Sequence, residues 1–521
     1  MLIGPHSAKR LECAGLPARR VVWPATLNPI TKAMHQLTRR SFLKSSLLAT
    51  GALGLPAYSW ARVPGANDDI RVAVVGFGGR GADHIDGFRK LASKGARLVA
   101  LCDSDSKILN AGVEAAAKRN ERVEGYTDIR KLLENKDVDV VSIATPNHWH
   151  ALGTIWAVQA DKDVYVEKPV CHNVWEGGKA VEAARQHGKI VQAGTQCRSS
   201  YGLREAVEWV SDGNLGKVLV ARGLCYKPRH SIGKTVGEQA IPPEVNYDLW
   251  CGPAPLAPLR RKRLHYDWHW VWDTGNGDLG NQGIHQMDIA RWFLGVNELS
   301  PRVWSVGGRL GYDDDGQTPN TQIVYHDYEQ APLIFEVRGL PKSKEFQSDG
   351  WNKNMDSLMG AQIGVLIHCE GGHVLVPNYS SATAFDKAGQ QIKKWSGARD
   401  HFENFLQAVR SRKHTDLNSD IQEGYLSSAL CHTGNISYRL GRLALPEEIL
   451  ERIKGDRDAA ATFERMRDHL QANGVDLAQT KLTLGEFLKF NPRSERFIGN
   501  SAADALLRRE YRKPFVVPEK V

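Results

Sequence analysis

Cysteine pairing is absent from this sequence. Its eight cysteines, Cys13, Cys102, Cys171, Cys197, Cys225, Cys251, Cys369 and Cys431, form no Cys-x-x-Cys. No spacing among them suggests a zinc site or a disulfide framework. Several stand in apolar runs, where an unpaired cysteine acts as a small hydrophobe. Loss of a leader would leave seven, an odd number that suits packing better than bridging. Internal repeats and low-complexity tracts are absent too. So is an apolar run long and unbroken enough for a stable bilayer span, so no stable membrane anchor is expected. Charge of one sign is lacking in the body. The net charge is +9, but Lys9, Arg10, Arg19, Arg20, Lys32, Arg39, Arg40 and Lys44 against Glu12 place +7 in residues 1–61. Taking +7 from +9 leaves +2 for residues 62–521, so the body is near neutral and no nucleic-acid partner is expected.

What is present begins with length. A chain of 521 residues is too long for one core and predicts two domains or more. Within it stands Arg71–Gly81, RVAVVGFGGRG, an apolar strand running into Gly76-x-Gly78-x-x-Gly81. A parallel strand that turns sharply into a helix leaves free N–H groups at the helix start, and these bind pyrophosphate. Gly76 permits the turn, Gly78 keeps a side chain away from the phosphates, and Gly81 lets helix and strand approach. Asp103, 22 residues after Gly81, ends the next strand, Arg97–Leu101. Its carboxylate can accept from both ribose hydroxyls and would repel a 2′-phosphate, so the expected cofactor is NAD rather than NADP.

The N-terminus reads as a leader. Thr38–Lys44, TRRSFLK, matches a twin-arginine export signal, Ser45–Leu55 is moderately apolar, and Ser59-Trp60-Ala61 offers a small-x-small cleavage site. Export through the twin-arginine machinery predicts a periplasmic or extracytoplasmic location. That route carries folded proteins with a cofactor already inserted. Met34 would start a leader of normal length, so translation is expected to begin there.

From Ile70 to about Thr195, near-continuous apolar strands alternate with amphipathic helices, the pattern of a parallel sheet covered on both faces. The strands are Arg71–Val75, Arg97–Leu101, Val138–Ala144, Asp163–Val166 and Ile190–Ala193. Beyond Tyr201–Asp212, a helix, strands dominate: Val218–Cys225, Val303–Leu310, Thr321–His326, Leu333–Val337, Ile363–His368 and His373–Val376. Their closeness predicts a mostly antiparallel sheet. The long Tyr226–Asn281 segment between them is rich in Pro, Arg and Trp and reads as a functional loop. The fold expected is α/β followed by α+β: a leader at 1–61, a Rossmann domain at 66–195, an α+β substrate and oligomerisation domain at 196–445, and an extension at 446–521. That extension reads as helical to Gly474 and then irregular.

Glu167-Lys168-Pro169, at the C-terminal end of the fifth strand of such a unit, resembles the glucose–fructose oxidoreductase / inositol dehydrogenase family (Gfo/Idh/MocA). Gly275–Asp288, GNGDLGNQGIHQMD, is similar to that family's second signature. Together they cover roughly Ile70–Arg442. The resemblance implies that the Thr145-Pro146-Asn147 segment lines the nicotinamide side. It also implies that Thr195, Gln196 and Arg198 face cofactor and substrate. His148 and His150 either join that lining or cap the next helix. The cofactor-binding set expected is Gly76, Gly78, Gly79, Arg80, Gly81, Asp103, Thr145, Pro146, Asn147, His150, Glu167, Lys168 and Gln196, with no metal.

The catalytic set expected is Lys168, His285 and Asn281. Ligands in open α/β sheets bind outside the C-terminal ends of the strands, and Lys168 stands at one. Partly desolvated beside a nicotinamide, its amine has a lowered pKa and can bond to, or relay a proton from, a substrate hydroxyl. His285 is the candidate base. The family pattern has Asp four residues before this histidine; here the residue is Asn281, which bonds but carries no charge. Asp288 either substitutes for it or packs the helix. His265–Trp272, HYDWHWVW, admits a metal pair, a sugar-stacking surface or an aromatic core. Tyr226, Lys227 and Arg229 open that segment within reach of substrate hydroxyls or a carboxylate.

The expected function is an exported NAD-dependent oxidoreductase that moves hydride from a sugar, polyol or sugar derivative, a small-molecule carbohydrate. Two other readings stay open: a redox-neutral NAD-dependent glycoside-cleaving or epimerising enzyme, and a non-catalytic sugar-binding protein. A homo-oligomer is expected through the face of the second-domain sheet.

Overall fold

The computed structural model describes residues 69–521; the leader and the Met34 start lie outside the described residues. The first sheet has six strands: β1 (Ile70–Val75), β2 (Ala96–Cys102), β3 (Glu124–Tyr126), β4 (Val140–Ile143), β5 (Asp163–Val166) and β6 (Val191–Ala193). Their order is β3-β2-β1-β4-β5-β6 and every pair is parallel. The order reverses between β1 and β4, and at such a switch point a doubly wound sheet opens a crevice. Five residues of β1 are buried and β4 is buried throughout, as a sheet covered on both faces requires.

The helices of this unit are α1 (Arg80–Lys90), α2 (Ser106–Ala117), α3 (Ile129–Leu133), α4 (His150–Gln159) and α5 (Val174–Gln186). Side-chain caps fix several of their starts. Asp105 accepts from the Lys107 and Ile108 amides, Asp128 from Arg130, and Asn173 from Glu176. The strand β3, too short to show a period, is an element the sequence reading lacks.

The second sheet is large and mixed. It takes β7 (Val218–Tyr226), β8 (Arg302–Gly308), β9 (Thr321–His326), β10 (Leu333–Arg338), β11 (Ile363–Cys369), β12 (Gly372–Val376), β13 (Ser381–Asp386), β14 (Gln391–Ser396), β15 (Arg442–Ala444), β16 (Leu482–Leu484), β17 (Leu488–Asn491) and β18 (Arg496–Phe497). The path runs β14-β13-β12-β11-β7-β10-β9-β8-β16-β15, with β17 on β8 and β18 on β17. Only the β7–β10 pairing is parallel, which agrees with a mostly antiparallel expectation. The extension departs from its reading as irregular after Gly474. There β16 and β17 continue the sheet beside β8, and the backbone groups of β8 provide the template.

The helices that follow α5 include α6 (Tyr201–Ser211), α7 (Tyr247–Cys251), α8 (Gly277–Asn281), α9 (Gly283–Leu294), α10 (His401–Ser411), α11 (Ile421–Arg439) and, in the extension, α12 (Pro446–Ile453) and α13 (Arg457–Ala472). The helix α8 forms in a stretch rich in glycine. Tight packing overrides propensity there: a Cβ at Gly275 would lie 2.4 Å from the His269 carbonyl oxygen, so only glycine lets the two segments touch. The core is continuous between the two sheets. Buried residues of α9 and α11 share one cluster with β4, β5, β8 and β10. Helices α12 and α13 cover the β8–β10 end of the second sheet's outer face with Ile449, Phe463, Met466 and Leu470. The seven described cysteines are free and buried.

The last residues return to the first domain. Trp175 donates its amide to the Leu507 carbonyl at 2.9 Å, and the Tyr511 hydroxyl donates to Glu176 Oε1 at 2.9 Å. Phe515, fully buried, sits edge-on to Trp149 with ring centres 5.6 Å apart.

Candidate active site

The switch point between β1 and β4 opens a cleft of about 330 Å³. Its floor is the turn after β1. Gly76 has φ +75, and a side chain there would meet Thr145 Cα at 2.8 Å; a Cβ on Gly81 would lie 2.1 Å from the Gly76 carbonyl oxygen. Gly79 caps α1 without a side-chain hydrogen bond, so the first amides of this helix are left for a ligand. Asp103 lines the cleft at the end of β2 and accepts from the Phe77 and Asp105 amides, both at 3.0 Å. Burial raises its carboxyl, opposed by those two amides. A glycine cradle, free helix-start amides and a carboxylate one strand away fit a dinucleotide.

The next two turns carry Thr145-Pro146-Asn147 and Glu167-Lys168-Pro169, and all but Pro169 line the cleft. His150, the first residue of α4, joins the turns: Nδ1 lies 2.6 Å from the Pro169 carbonyl oxygen and Nε2 2.8 Å from that of Thr145. Glu167 is buried beneath. Burial alone would raise its carboxyl, but His84, Lys168 and Arg80 hold it well below the usual carboxylate range. Both His84 Nε2 and Arg80 Nε stand 3.0 Å from Glu167 Oε1. The sequence reading lacks His84; a histidine inside a helix three residues past a glycine fingerprint gives no signal of a partner 83 residues away.

Lys168 Nζ donates to the Asn281 carbonyl oxygen at 3.2 Å and approaches its Oδ1 at 3.5 Å. Burial lowers the Lys168 pKa, and Arg80, Lys227 and Arg229 add to this while Glu167 opposes it. Asn281, the last residue of α8, also lines the cleft. These two expected catalytic residues are therefore together.

His285 does not line the cleft surface, although it lies close enough for the Lys168 charge to act on it. It is buried on α9, a helix enclosed on nearly every side, and its ring faces Tyr379 at 4.9 Å with Cys197 Sγ 4.0 Å from Nδ1. Burial, then the nearby Lys168 charge, lowers its pKa to about 3. Asp288 does not support it. That carboxylate accepts from Arg198 Nε at 2.9 and 3.0 Å and from the Ser427 hydroxyl at 2.7 Å, as a packing group. Thr195, Gln196 and Arg198 likewise lie outside the cleft lining: Arg198 is spent on Asp288 and Glu423, and Thr195 on Ser419. His148 is sealed among the Trp250 and Thr274 carbonyls. Tyr226 points away, its hydroxyl on Glu336 at 2.8 Å. Lys227 is held by Gln282, and Arg229 grips Asp278 with two 2.6 Å bonds.

The long Tyr226–Asn281 segment forms the roof. Leu249, Trp250, His265, Tyr266, Trp268 and His269 line the cleft. The segment is strapped to the end of β2. Ser106 donates its amide (2.9 Å) and hydroxyl (3.0 Å) to the Glu244 carbonyl, Asn246 donates to that of Ser104 at 2.9 Å, and His265 Nε2 meets Asp105 Oδ2 at 3.0 Å. Among the described residues no group of three or more His, Cys, Asp or Glu gathers to hold a metal.

Residues 70–195 match the family model described as the Gfo/Idh/MocA oxidoreductase family, NAD-binding Rossmann fold, and residues 208–346 match that family's C-terminal α/β domain. An inositol 2-dehydrogenase of Salmonella typhimurium is 32% identical over 322 residues, 60% of this chain and 75% of that protein. A glycosyl hydrolase family 109 protein of Shewanella baltica is 32% identical over 179 residues, 30% of this chain and only 39% of that protein. The crystal structure of the WlbA dehydrogenase from Bordetella pertussis in complex with NADH and UDP-GlcNAcA shares the fold, with a TM-score of 0.50 at 19% identity over 70% of this chain and 94% of that one.

Proposed function

Because the chain belongs to the Gfo/Idh/MocA oxidoreductase family and its first domain is an NAD-binding Rossmann fold, we propose that it oxidises a secondary alcohol of a sugar, polyol or sugar derivative outside the cytoplasm, after twin-arginine export. One observation carries this reading: the Lys168 amine, held by Asn281, stands in the same cleft as the glycine cradle. Bound NAD supplies a two-electron acceptor for the alcohol carbon's hydride. Gly76, Gly78 and the first amides of α1 hold its diphosphate, and Asp103 takes the ribose hydroxyls. Lys168 donates a hydrogen bond to the reacting oxygen, and its lowered pKa lets it give up and regain a proton more readily than a free lysine. Glu167 and His150 fix the turn from which it projects. His285, which does not line the cleft, packs against Tyr379 and Cys197. Mass spectrometry of the nucleotide released from purified protein, followed by a sugar screen, tests the proposal. Protein that neither contains nor binds NAD(H) would defeat it.

The roof favours a second reading. A clasp tied to the β2 end at Ser104, Asp105 and Ser106 hinders nucleotide exchange, and an exported enzyme cannot readily renew free NAD. A retained cofactor that is reduced and reoxidised within one turnover would make the net reaction hydrolysis or epimerisation, consistent with the glycosyl hydrolase likeness. NAD that survives dialysis, with no net NADH formed on an active sugar, selects this reading. The uncovered part of the second sheet's outer face is where we propose a second copy packs.

A further inference from the structure

His269 stands in the cleft that holds Lys168 and Asn281. Its Nδ1 lies 2.5 Å from the Tyr266 carbonyl oxygen. A carbonyl only accepts, so Nδ1 carries the hydrogen and Nε2 carries the lone pair. Nε2 has no hydrogen-bond partner among the described residues, and it is not sealed from solvent. The ring cannot swing freely. It stacks on Trp268 with centres 3.7 Å apart, and Gly275 closes on its backbone from behind. The cleft therefore holds a fixed donor, the Lys168 amine, and a fixed bare acceptor. Of the other imidazoles lining the cleft, His150 has both nitrogens engaged, and His265, more exposed, is tied through Nε2 to Asp105 at the strap rather than stacked in place.

Resting on the oxidoreductase reading above, we propose that His269 Nε2, rather than His285, accepts the substrate hydroxyl's proton. The O–H bond breaks with its proton going to Nε2. The C–H electron pair leaves as hydride to the nicotinamide, and the carbinol carbon becomes a carbonyl. Burial, together with the charges of Lys168 and Arg229, keeps this imidazole neutral at ordinary pH, its pKa lowered to about 3. Such a weak base suffices when the transfers are concerted, because a hydroxyl losing hydride becomes the O–H of a protonated carbonyl, a far stronger acid than any imidazolium. On hydride return the same nitrogen gives the proton back.

Diethyl pyrocarbonate, which acylates accessible unprotonated imidazole nitrogens, tests this without relying on turnover. NAD-loaded protein is treated at pH 6 and its peptides are mapped by mass. His269 should be acylated and His285 spared. In parallel, His269→Gln should bind NAD with unchanged affinity. If the wild-type enzyme oxidises myo-inositol as probe, the variant should do so about 10²–10⁴-fold more slowly. Acylation of His285 ahead of His269, or a Gln variant with wild-type turnover, overturns the assignment. Where myo-inositol is not turned over, the acylation pattern decides alone. Wild-type protein that binds no NAD overturns the oxidoreductase reading, and the pattern on the apo-protein still decides whether Nε2 is the bare nitrogen.

Discussion

Acid should unfold this protein at a pH most proteins survive. Five of the histidines that burial holds neutral make the point: burial lowers His148, His285 and His326 to about 3, and His401 and His432 to about 4. In the unfolded chain each titrates near 6.5. Below that pH the unfolded chain binds protons that the native state refuses, so stability falls as pH falls. One pKa unit is about 1.4 kcal/mol, so from pH 7.5 to 5 each group withdraws about 2 kcal/mol and the five together about 10 kcal/mol. A native state is worth only about 5–15 kcal/mol in total. Glu176, whose carboxyl burial raises, returns part of this, but only where that carboxyl takes up its proton. Thermal melts of NAD-free protein at pH 7.5, 6 and 5 should show a steep fall in Tm and little folded protein near pH 4.5. His326→Leu, which removes one such group from β9, should take up about one proton fewer on unfolding at pH 5. A Tm that stays level between pH 7 and 5 would refute the reasoning.

Three further outcomes are expected. His265→Ala with Ser106→Ala removes two straps of the roof; at about 0.5–1.5 kcal/mol for each hydrogen bond, NAD should leave about 5- to 150-fold faster in a trap-dilution assay, and an unchanged release rate would mean the segment is no clasp. Gly275→Ala forces a Cβ against the His269 backbone, so turnover should drop while NAD affinity holds, measured side by side by titration and steady-state kinetics. Phe515→Ala empties a buried ring site and should cost about 3–5 kcal/mol in denaturant unfolding, as for other deeply buried aromatics.

The first domain was legible because its signals are local. The 3.6-residue and continuous apolar periods, the glycine fingerprint and Asp103 each act within a few residues of where they appear, and all of them stand where expected. Lys168 and Asn281 met because each belongs to a short motif at a fixed strand or helix end. His285 does not reach the cleft surface because a motif fixes a residue's address in the chain but not which side of α9 faces solvent, and that helix is enclosed by β7, β11 and α11. His269 was visible only as one ring in HYDWHWVW. Its bare nitrogen depends on a carbonyl three residues back and on Gly275, contacts that composition does not reveal. The tail strands escaped because β16 and β17 borrow their pairing from β8, nearly two hundred residues earlier.

The ring of Phe515 beside Trp149 bears on how the polypeptide is made. Domains emerging from a ribosome generally fold in order, amino end first. Here the nucleotide-binding half lacks one of its aromatic plugs, and α5 the Leu507 and Tyr511 bonds, until residues 507–515 have been made. Its maturation is thereby postponed until the second domain has followed it out of the ribosome, and both can close around a dinucleotide together.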